Sequence, residues 1–277
     1  MTGITDAFGR MQSPLFIAFL VAGDPDYTTS LELARQVIRA GADILELGMP
    51  YSDPVADGPT IQKADERALS AGMTPDTLFA LVRELRKESD VPIVLLTYYN
   101  VVFRRGIRQF YRQSRDAGID GILIVDMPYE ESDEAVEVAR TFGMDQIFLV
   151  SVTSTKKRVR QIISRAGGFL YLVSTTGVTG ARGELEPGVF DLIRTVRHQT
   201  SLPLAVGFGI SKPEHVQPLV SAGADAVIVG SAIVRIIEQY LDDPATMLAE
   251  VSRYVSCMKK ATAGATTAAM RKDRSGG

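Results

Sequence analysis

Short, almost wholly apolar runs recur along the chain, separated by stretches in which apolar residues fall every three or four positions. The runs lie near residues 15–21, 44–48, 92–97, 120–126, 145–151, 168–174, 202–207 and 224–230. An apolar run of this length bounded by turn residues predicts a strand, and one without polar alternation predicts a strand covered on both faces, as in parallel sheets. Helical periodicity predicts helices over 28–40, 74–88, 105–117, 129–142, 155–166, 186–198 and 212–222. Two more, 231–240 and 243–260, follow the last strand. One theme is written three times, as Ala40-Gly-Ala-Asp-Ile-Leu-Glu-Leu-Gly48, Ala117-Gly-Ile-Asp-Gly-Ile-Leu-Ile-Val125 and Ala222-Gly-Ala-Asp-Ala-Val-Ile-Val-Gly230, with a weaker copy over 143–150. In each, a glycine closes a helix and a short strand follows.

Eight strand–helix units in strict alternation predict an α/β fold, a closed (β/α)8 TIM barrel. Extra helices are expected at the N-terminus, after the second strand and at the C-terminus. A doubly wound open sheet is the alternative. The barrel is expected to occupy residues 1–260 as a single domain. Residues 261–277, which are small, polar and aperiodic, are expected to be a disordered tail. The longest interval between strand starts runs from 44 to 92, and extra chain at that point of a barrel marks a functional loop.

Charge and composition then remove whole classes of function. The 277 residues carry 30 Lys and Arg against 33 Asp and Glu, a net charge of −3, which offers nucleic acid or an anionic membrane no general attraction. A single cysteine, Cys257, excludes an internal disulfide framework and points to a reducing, cytoplasmic compartment. With two histidines, His198 and His215, no His-rich or Cys-rich metal site is expected. The longest apolar runs, about nine residues, are half of a membrane span. The run 15–23 follows Arg10 as a signal peptide's apolar region would, yet it leads into the turn Gly23-Asp24-Pro25 and reads as a buried first strand.

In a barrel of this kind the active site lies at the C-terminal ends of the strands. Glu46 sits within the second strand, and the period of two separates it from Leu45 and Leu47. With those leucines facing the helices, Glu46 points into the barrel. An unpaired carboxyl there has a raised pKa, suited to holding and delivering a proton near neutrality. A structural Glu bonded to a neighbouring strand is the plainer reading. Asp57 follows in Pro50-Tyr-Ser-Asp-Pro-Val-Ala-Asp-Gly-Pro59, a loop stiffened by prolines. Asp53 and Asp57 can equally cap turns or the helix starting near Thr60, so cap and catalyst both stay open. Glycines follow the last three strands, in Thr176-Gly-Val-Thr-Gly180, Gly207-Phe-Gly-Ile-Ser211 and Gly230-Ser231. Glycine-bearing loops after strands 7 and 8 with a helix N-terminus make a phosphate site in such barrels. All eight lysines lie outside the strands, which argues against a Schiff base inside the barrel. Carboxylate acid–base chemistry on a phosphorylated small molecule remains.

Several stretches together resemble the tryptophan synthase alpha chain family. They are Phe19-Leu-Val-Ala-Gly-Asp-Pro25, Leu45-Glu-Leu-Gly-Met-Pro-Tyr-Ser-Asp-Pro-Val-Ala-Asp-Gly-Pro59, Thr97-Tyr-Tyr-Asn100, Asp126-Met-Pro128, Gly177-Val-Thr-Gly180, Gly207-Phe-Gly-Ile-Ser211 and Gly230-Ser-Ala-Ile-Val234. The resemblance implies retro-aldol cleavage of indole-3-glycerol phosphate to indole and glyceraldehyde 3-phosphate, in tryptophan biosynthesis. It implies that Glu46 and Asp57 are catalytic. Phe19, Tyr171, Thr179, Gly180, Phe208, Gly209, Gly230 and Ser231 would then contact substrate, with the loop 177–188 as a lid. It also implies a beta-chain partner in an α2β2 complex, with pyridoxal phosphate belonging to that partner and no cofactor or metal in this chain. A stand-alone indole-3-glycerol phosphate lyase, another phosphate-binding barrel such as an epimerase, and a non-catalytic regulator that binds a phosphate ligand are the rival readings.

Overall fold

Strands buried on both faces need a partner on each edge and a layer on each side, and closing the sheet on itself provides all of these. The computed structural model, which describes residues 2–173, 185, 188–207 and 209–265, has this arrangement. Its strands are β1 (Leu15–Val21), β2 (Ile44–Gly48), β3 (Ile93–Thr97), β4 (Gly121–Ile124), β5 (Asp145–Ser151), β6 (Leu170–Val173), β7 (Leu204–Val206) and β8 (Ala226–Val229). They pair in chain order, all parallel, and β8 returns to β1.

The helices are α1 (Gly3–Gly9), α2 (Tyr27–Arg39), α3 (Pro59–Ser70), α4 (Pro75–Arg86), α5 (Tyr99–Arg105), α6 (Ile107–Ala117), α7 (Asp133–Thr141), α8 (Lys156–Ile163), α9 (Gly188–Arg197), α10 (Val216–Ala222), α11 (Ser231–Gln239) and α12 (Pro244–Gly264). The barrel expected from the pattern is therefore present, with its extra helices: α1 precedes β1, α3 fills the long interval after β2, and α12 ends the described chain.

Several boundaries differ from expectation. The helix expected over 105–117 starts at Ile107 as α6, and a separate helix that was not expected, α5, precedes it; Gly106 between them has φ of +83°, outside the helical range. The helices expected over 129–142 and 212–222 each begin with a single 3-10 turn, Tyr129–Glu131 and Pro213–His215. The helix expected to end at 260 runs to Gly264. Residues 266–277, most of the expected tail, lie outside the described residues.

Alternation splits the core in two. Leu45 and Leu47 pack outward among the helices, while Ile17, Ile44, Val94, Leu123, Ile147, Phe169, Ala205, Ala226 and Ile228 fill the interior. Helix α1 closes the N-terminal end of the cylinder with Ile4 and Phe8, the latter ring 5.8 Å from Phe169. The interior is thus filled from below, and space remains only toward the C-terminal ends of the strands.

The repeated Gly-x-Asp theme has a role that the pattern did not reveal. Asp43, Asp120 and Asp225 each accept a backbone N–H at the start of the preceding strand, from Phe16, the second residue of β1, at 2.7 Å, and from Ile93 and Leu204, the first residues of β3 and β7, at 2.9 Å and 2.8 Å. Each carboxylate also pairs with a cation from a helix: Lys259, Arg86 and Arg197 respectively. In the weaker fourth copy, Asp145 accepts the Thr2 hydroxyl. A charged acceptor satisfies an edge donor that the ladder leaves over, and the same carboxylate ties strand to helix. These latches lie at the end of the barrel away from the cavity.

Candidate active site

At the C-terminal end of the barrel a cavity of about 380 Å³ opens between the strand ends. Leu96, Leu123, Val125, Leu149 and Ile228 give it apolar walls, and Phe19 and Tyr171 line it from β1 and β6. One side is edged by Gly207, Gly209, Gly230 and Ser231, after β7 and β8. A Cβ on Gly230 would stand 2.9 Å from the Phe19 ring, so only glycine lets this backbone reach the cavity edge with Phe19 in place. Ser231 is the first residue of α11, where unpaired backbone N–H groups favour an anion. An apolar slot ending in such a glycine edge suits a flat ring that carries a phosphate. Phe19, Tyr171, Gly209, Gly230 and Ser231 are thus brought together. Thr179, Gly180 and Phe208, together with 177–184, 186 and 187 of the expected lid, lie outside the described residues.

Glu46 points into the barrel as the alternation requires. It is fully buried, in register with Phe19 on one side and Val94 on the other. It does not line the cavity itself; it lies beside Tyr171 and Phe19, which do. Among the described residues neither of its carboxyl oxygens has a hydrogen-bond partner, so the plainer reading, a structural Glu bonded to a neighbouring strand, is not what the structure has. Burial, and next the negative charge of Asp57, push its pKa up to about 8; the nearby Tyr171 hydroxyl opposes this only in part, since it completes no hydrogen bond to either oxygen. Glu46 therefore holds its proton at neutral pH.

Asp57 is not a helix cap. The cap position of α3 is Gly58, with no side-chain bond, and the Asp57 carboxylate turns instead to the Tyr98 hydroxyl, which donates at 2.6 Å. Tyr98 is 2% exposed, stacks on Tyr51 at 4.8 Å, and accepts the Ala56 N–H at 3.1 Å. One buried phenol thereby fixes both the Asp57 side chain and the loop that carries it. Burial raises the Asp57 pKa, and the Tyr98 bond pulls it back. Asp53, the other aspartate of the loop, is exposed, and its carboxylate accepts the neighbouring Ser52 hydroxyl.

Sequence reasoning missed Tyr98, although it falls in a quoted stretch, because its contact with Asp57 spans 41 residues. It also missed the fork by which Arg67 of α3 holds the buried Asp24 at 2.6 and 2.9 Å, pinning the turn after β1 to α3. Asp65 of α3 is a third surprise. It is 4% exposed and pushed up to about 8, first by burial and then by the charges of Asp57, Asp24 and Glu66. The folded protein therefore keeps a proton on Asp65 that the unfolded chain releases near its ordinary value of 3.8. The resulting stability is complete below that value and is lost as pH rises toward about 8. Asp65→Asn, neutral in both states, should escape this loss. Urea unfolding at pH 4 and pH 8.5 should show the variant gaining on the wild type by about 1–3 kcal/mol, at roughly 1.4 kcal/mol per pKa unit as a ceiling. A gap that stays constant, or runs the other way, would mean that Asp65 is ionised in the folded state.

Among the described residues no group of three or more His, Cys, Asp or Glu could hold a metal ion, and no helix is long and apolar enough to cross a membrane.

Fold and site together define a (β/α)8 barrel with a ligand-sized cavity at its C-terminal face. The comparisons with known proteins are more specific. The model of the family described as tryptophan synthase alpha chain matches residues 8–263, and the chain belongs to that family. It is 56% identical to the tryptophan synthase alpha chain of Methanoregula boonei over 261 residues, which cover 94% of this chain and 98% of that one. It is 47% identical to that of Methanothermobacter thermautotrophicus, covering 92% and 95%. The solved α2β2 tryptophan synthase complex of Pyrococcus furiosus holds a chain that matches with a TM-score of 0.84 and 39% identity, over 90% of this chain and 99% of that one. The reaction of the family is the cleavage of indole-3-glycerol phosphate to indole and glyceraldehyde 3-phosphate.

Proposed function

We propose that Glu46 and Asp57 divide this cleavage between them, Glu46 moving protons and Asp57 holding charge. The observation that supports it best is the difference in hydrogen bonding between the two carboxyls. Glu46 is buried and protonated, while Asp57 has a phenol donating to it and stands on the cavity wall. Burial raises both carboxyls, but only Asp57 has a donor that favours its anion, and two carboxyls in unlike surroundings at one cavity are a usual basis for separate acid and anion roles.

Glu46 gives its proton to C3 of the indole ring, and positive charge develops across C2 and the ring nitrogen. Asp57 accepts a hydrogen bond from the ring N–H and stabilises that charge as it grows. The Glu46 carboxylate so formed takes the proton of the glycerol hydroxyl next to the ring. The carbon–carbon bond then breaks, its electron pair restores the indole, and the aldehyde departs with the phosphate. Glu46 ends protonated, as it began, and the protonated ring is the electron sink that a lysine or a metal would otherwise supply. To reach C3, Glu46 must turn from its place beside Tyr171 toward the cavity. Free of hydrogen bonds, it can do so without breaking any.

The partner in this reading is a beta chain that carries pyridoxal phosphate, as in an α2β2 complex, and this chain itself binds no cofactor. Two large apolar side chains support a docking surface there. Val55 is 84% exposed and Phe103 65%, both on segments that follow β2 and β3 at the cavity end. Thr179, Gly180 and Phe208 complete the proposed substrate contacts with Phe19, Tyr171, Gly209, Gly230 and Ser231.

The test is indole release from indole-3-glycerol phosphate by this chain, alone and with a beta chain added. Release that the beta chain accelerates tenfold or more is expected. Release indifferent to the beta chain would make this a stand-alone lyase, and no release in either mixture would leave a phosphate-binding regulator.

A further inference from the structure

Two charged side chains stand among the described residues lining the cavity: Asp57 and Arg235. The cleavage step gives the second no part. Arg235 lies on α11, four residues beyond Ser231, so both side chains project from the same face of that helix. It forms no hydrogen bond or ion pair with any described residue. Glu238, three positions further on, is taken by Lys63 at 3.1 Å. Most other arginines packed against the barrel are spoken for: Arg67 forks onto Asp24, Arg86 pairs with Asp120, and Arg197 pairs with Asp225. An arginine that lines a ligand cavity without a carboxylate partner is a charge waiting for an anion.

The surroundings of Arg235 favour the glycine edge as the place of that anion. Its positive charge is felt by the Tyr254 phenol of α12. That phenol donates at 3.0 Å to the carbonyl of Ser211, the residue that ends the glycine segment after β7. The N–H of Ser211 is in turn directed at Nδ1 of His215, at 3.4 Å. The guanidinium is thus beside the segment that carries Gly209 and on the helix that begins with Ser231. The charge balance also calls for it. Backbone N–H groups and a helix end supply partial charges only, whereas a phosphate monoester carries about −1.5 to −2 at neutral pH.

We propose that Arg235 pairs with the phosphate of the substrate and sets the preference of this site for a phosphorylated over an unphosphorylated indole glycerol. This rests on the reading of the glycine edge as the phosphate end, and it assigns the full positive charge which that edge lacks. The pairing is made in the ground state and the transition state alike, since the phosphate is remote from the bond that breaks. It therefore acts on KM rather than kcat.

The test compares Arg235→Gln and Arg235→Lys with the wild type on two substrates, indole-3-glycerol phosphate and indole-3-glycerol. For Arg235→Gln we expect KM for the phosphate ester to rise about tenfold with kcat within twofold, and kcat/KM for the phosphate-free substrate to stay within twofold. Arg235→Lys, which keeps the charge, should recover most of the affinity. Equal losses on both substrates would assign Arg235 a structural role, and no loss on either would leave it a bystander; both overturn the proposal. Calorimetric titration with glycerol 3-phosphate reads the same contact without catalysis, and the wild type should bind about tenfold more tightly than Arg235→Gln. That arm separates the two failures. Equal binding sinks the role of Arg235 alone, whereas unequal binding by a wild type that releases no indole sinks the proposed reaction and leaves the pairing standing.

Discussion

Glu46→Gln should stop indole release while leaving binding of a phosphate ligand nearly intact. Glutamine has the size and neutrality of the protonated acid, so it fits a site in which neither carboxyl oxygen has a partner. What it lacks is a proton to give and a place to take one back. One general acid–base step is worth about 10²–10⁴ in rate, and Glu46 would serve in two, so a fall of at least three orders of magnitude in kcat is expected. The comparison should be made near neutral pH, where a group pushed up to about 8 is still protonated in the wild type. Activity within tenfold of wild type would remove Glu46 from the mechanism.

Asp57→Ala should cost two to three orders of magnitude in kcat, with a much smaller effect on KM. The hydrogen bond from the ring nitrogen strengthens only as the ring becomes cationic, so its loss falls on the transition state. The variant also removes the charge that helps keep Glu46 protonated, and it leaves the Tyr98 hydroxyl without its acceptor. Asp57→Asn separates these effects: it keeps an acceptor for Tyr98 and removes only the charge. If Asp57→Asn retains most of the wild-type kcat, the carboxylate is there to position the loop and not to stabilise charge.

Glu46 and Asp57 differ in how far their situation could be read in advance. Glu46 sits in a regular strand, where a period of two decides which way a side chain points, and its inward direction follows from the leucines on either side. Its depth did not follow. That it lies beside Tyr171, one step in from the cavity surface, depends on the stagger of eight strands. Asp57 sits in a loop, where no period applies and the sequence reads as well for a cap as for a catalyst; the Tyr98 contact, which turns the carboxylate away from the helix, exists only in the folded protein.

The same division runs through the whole molecule. Strand and helix order, the inward and outward faces of β2, the glycine edge after β7 and β8 and the extra chain after β2 are all encoded within a few residues of where they appear. Local sterics and hydrogen-bond periodicity govern them, and these act along the chain. What only closure of the barrel decided are meetings across distance: Tyr98 with Asp57, Arg67 with Asp24, the aspartates of three Gly-x-Asp turns with an N–H of the neighbouring strand, and Arg235 left alone beside the glycine edge. Their energies depend on burial and on which charges share a low-dielectric space. Both are properties of the folded volume and of no segment within it.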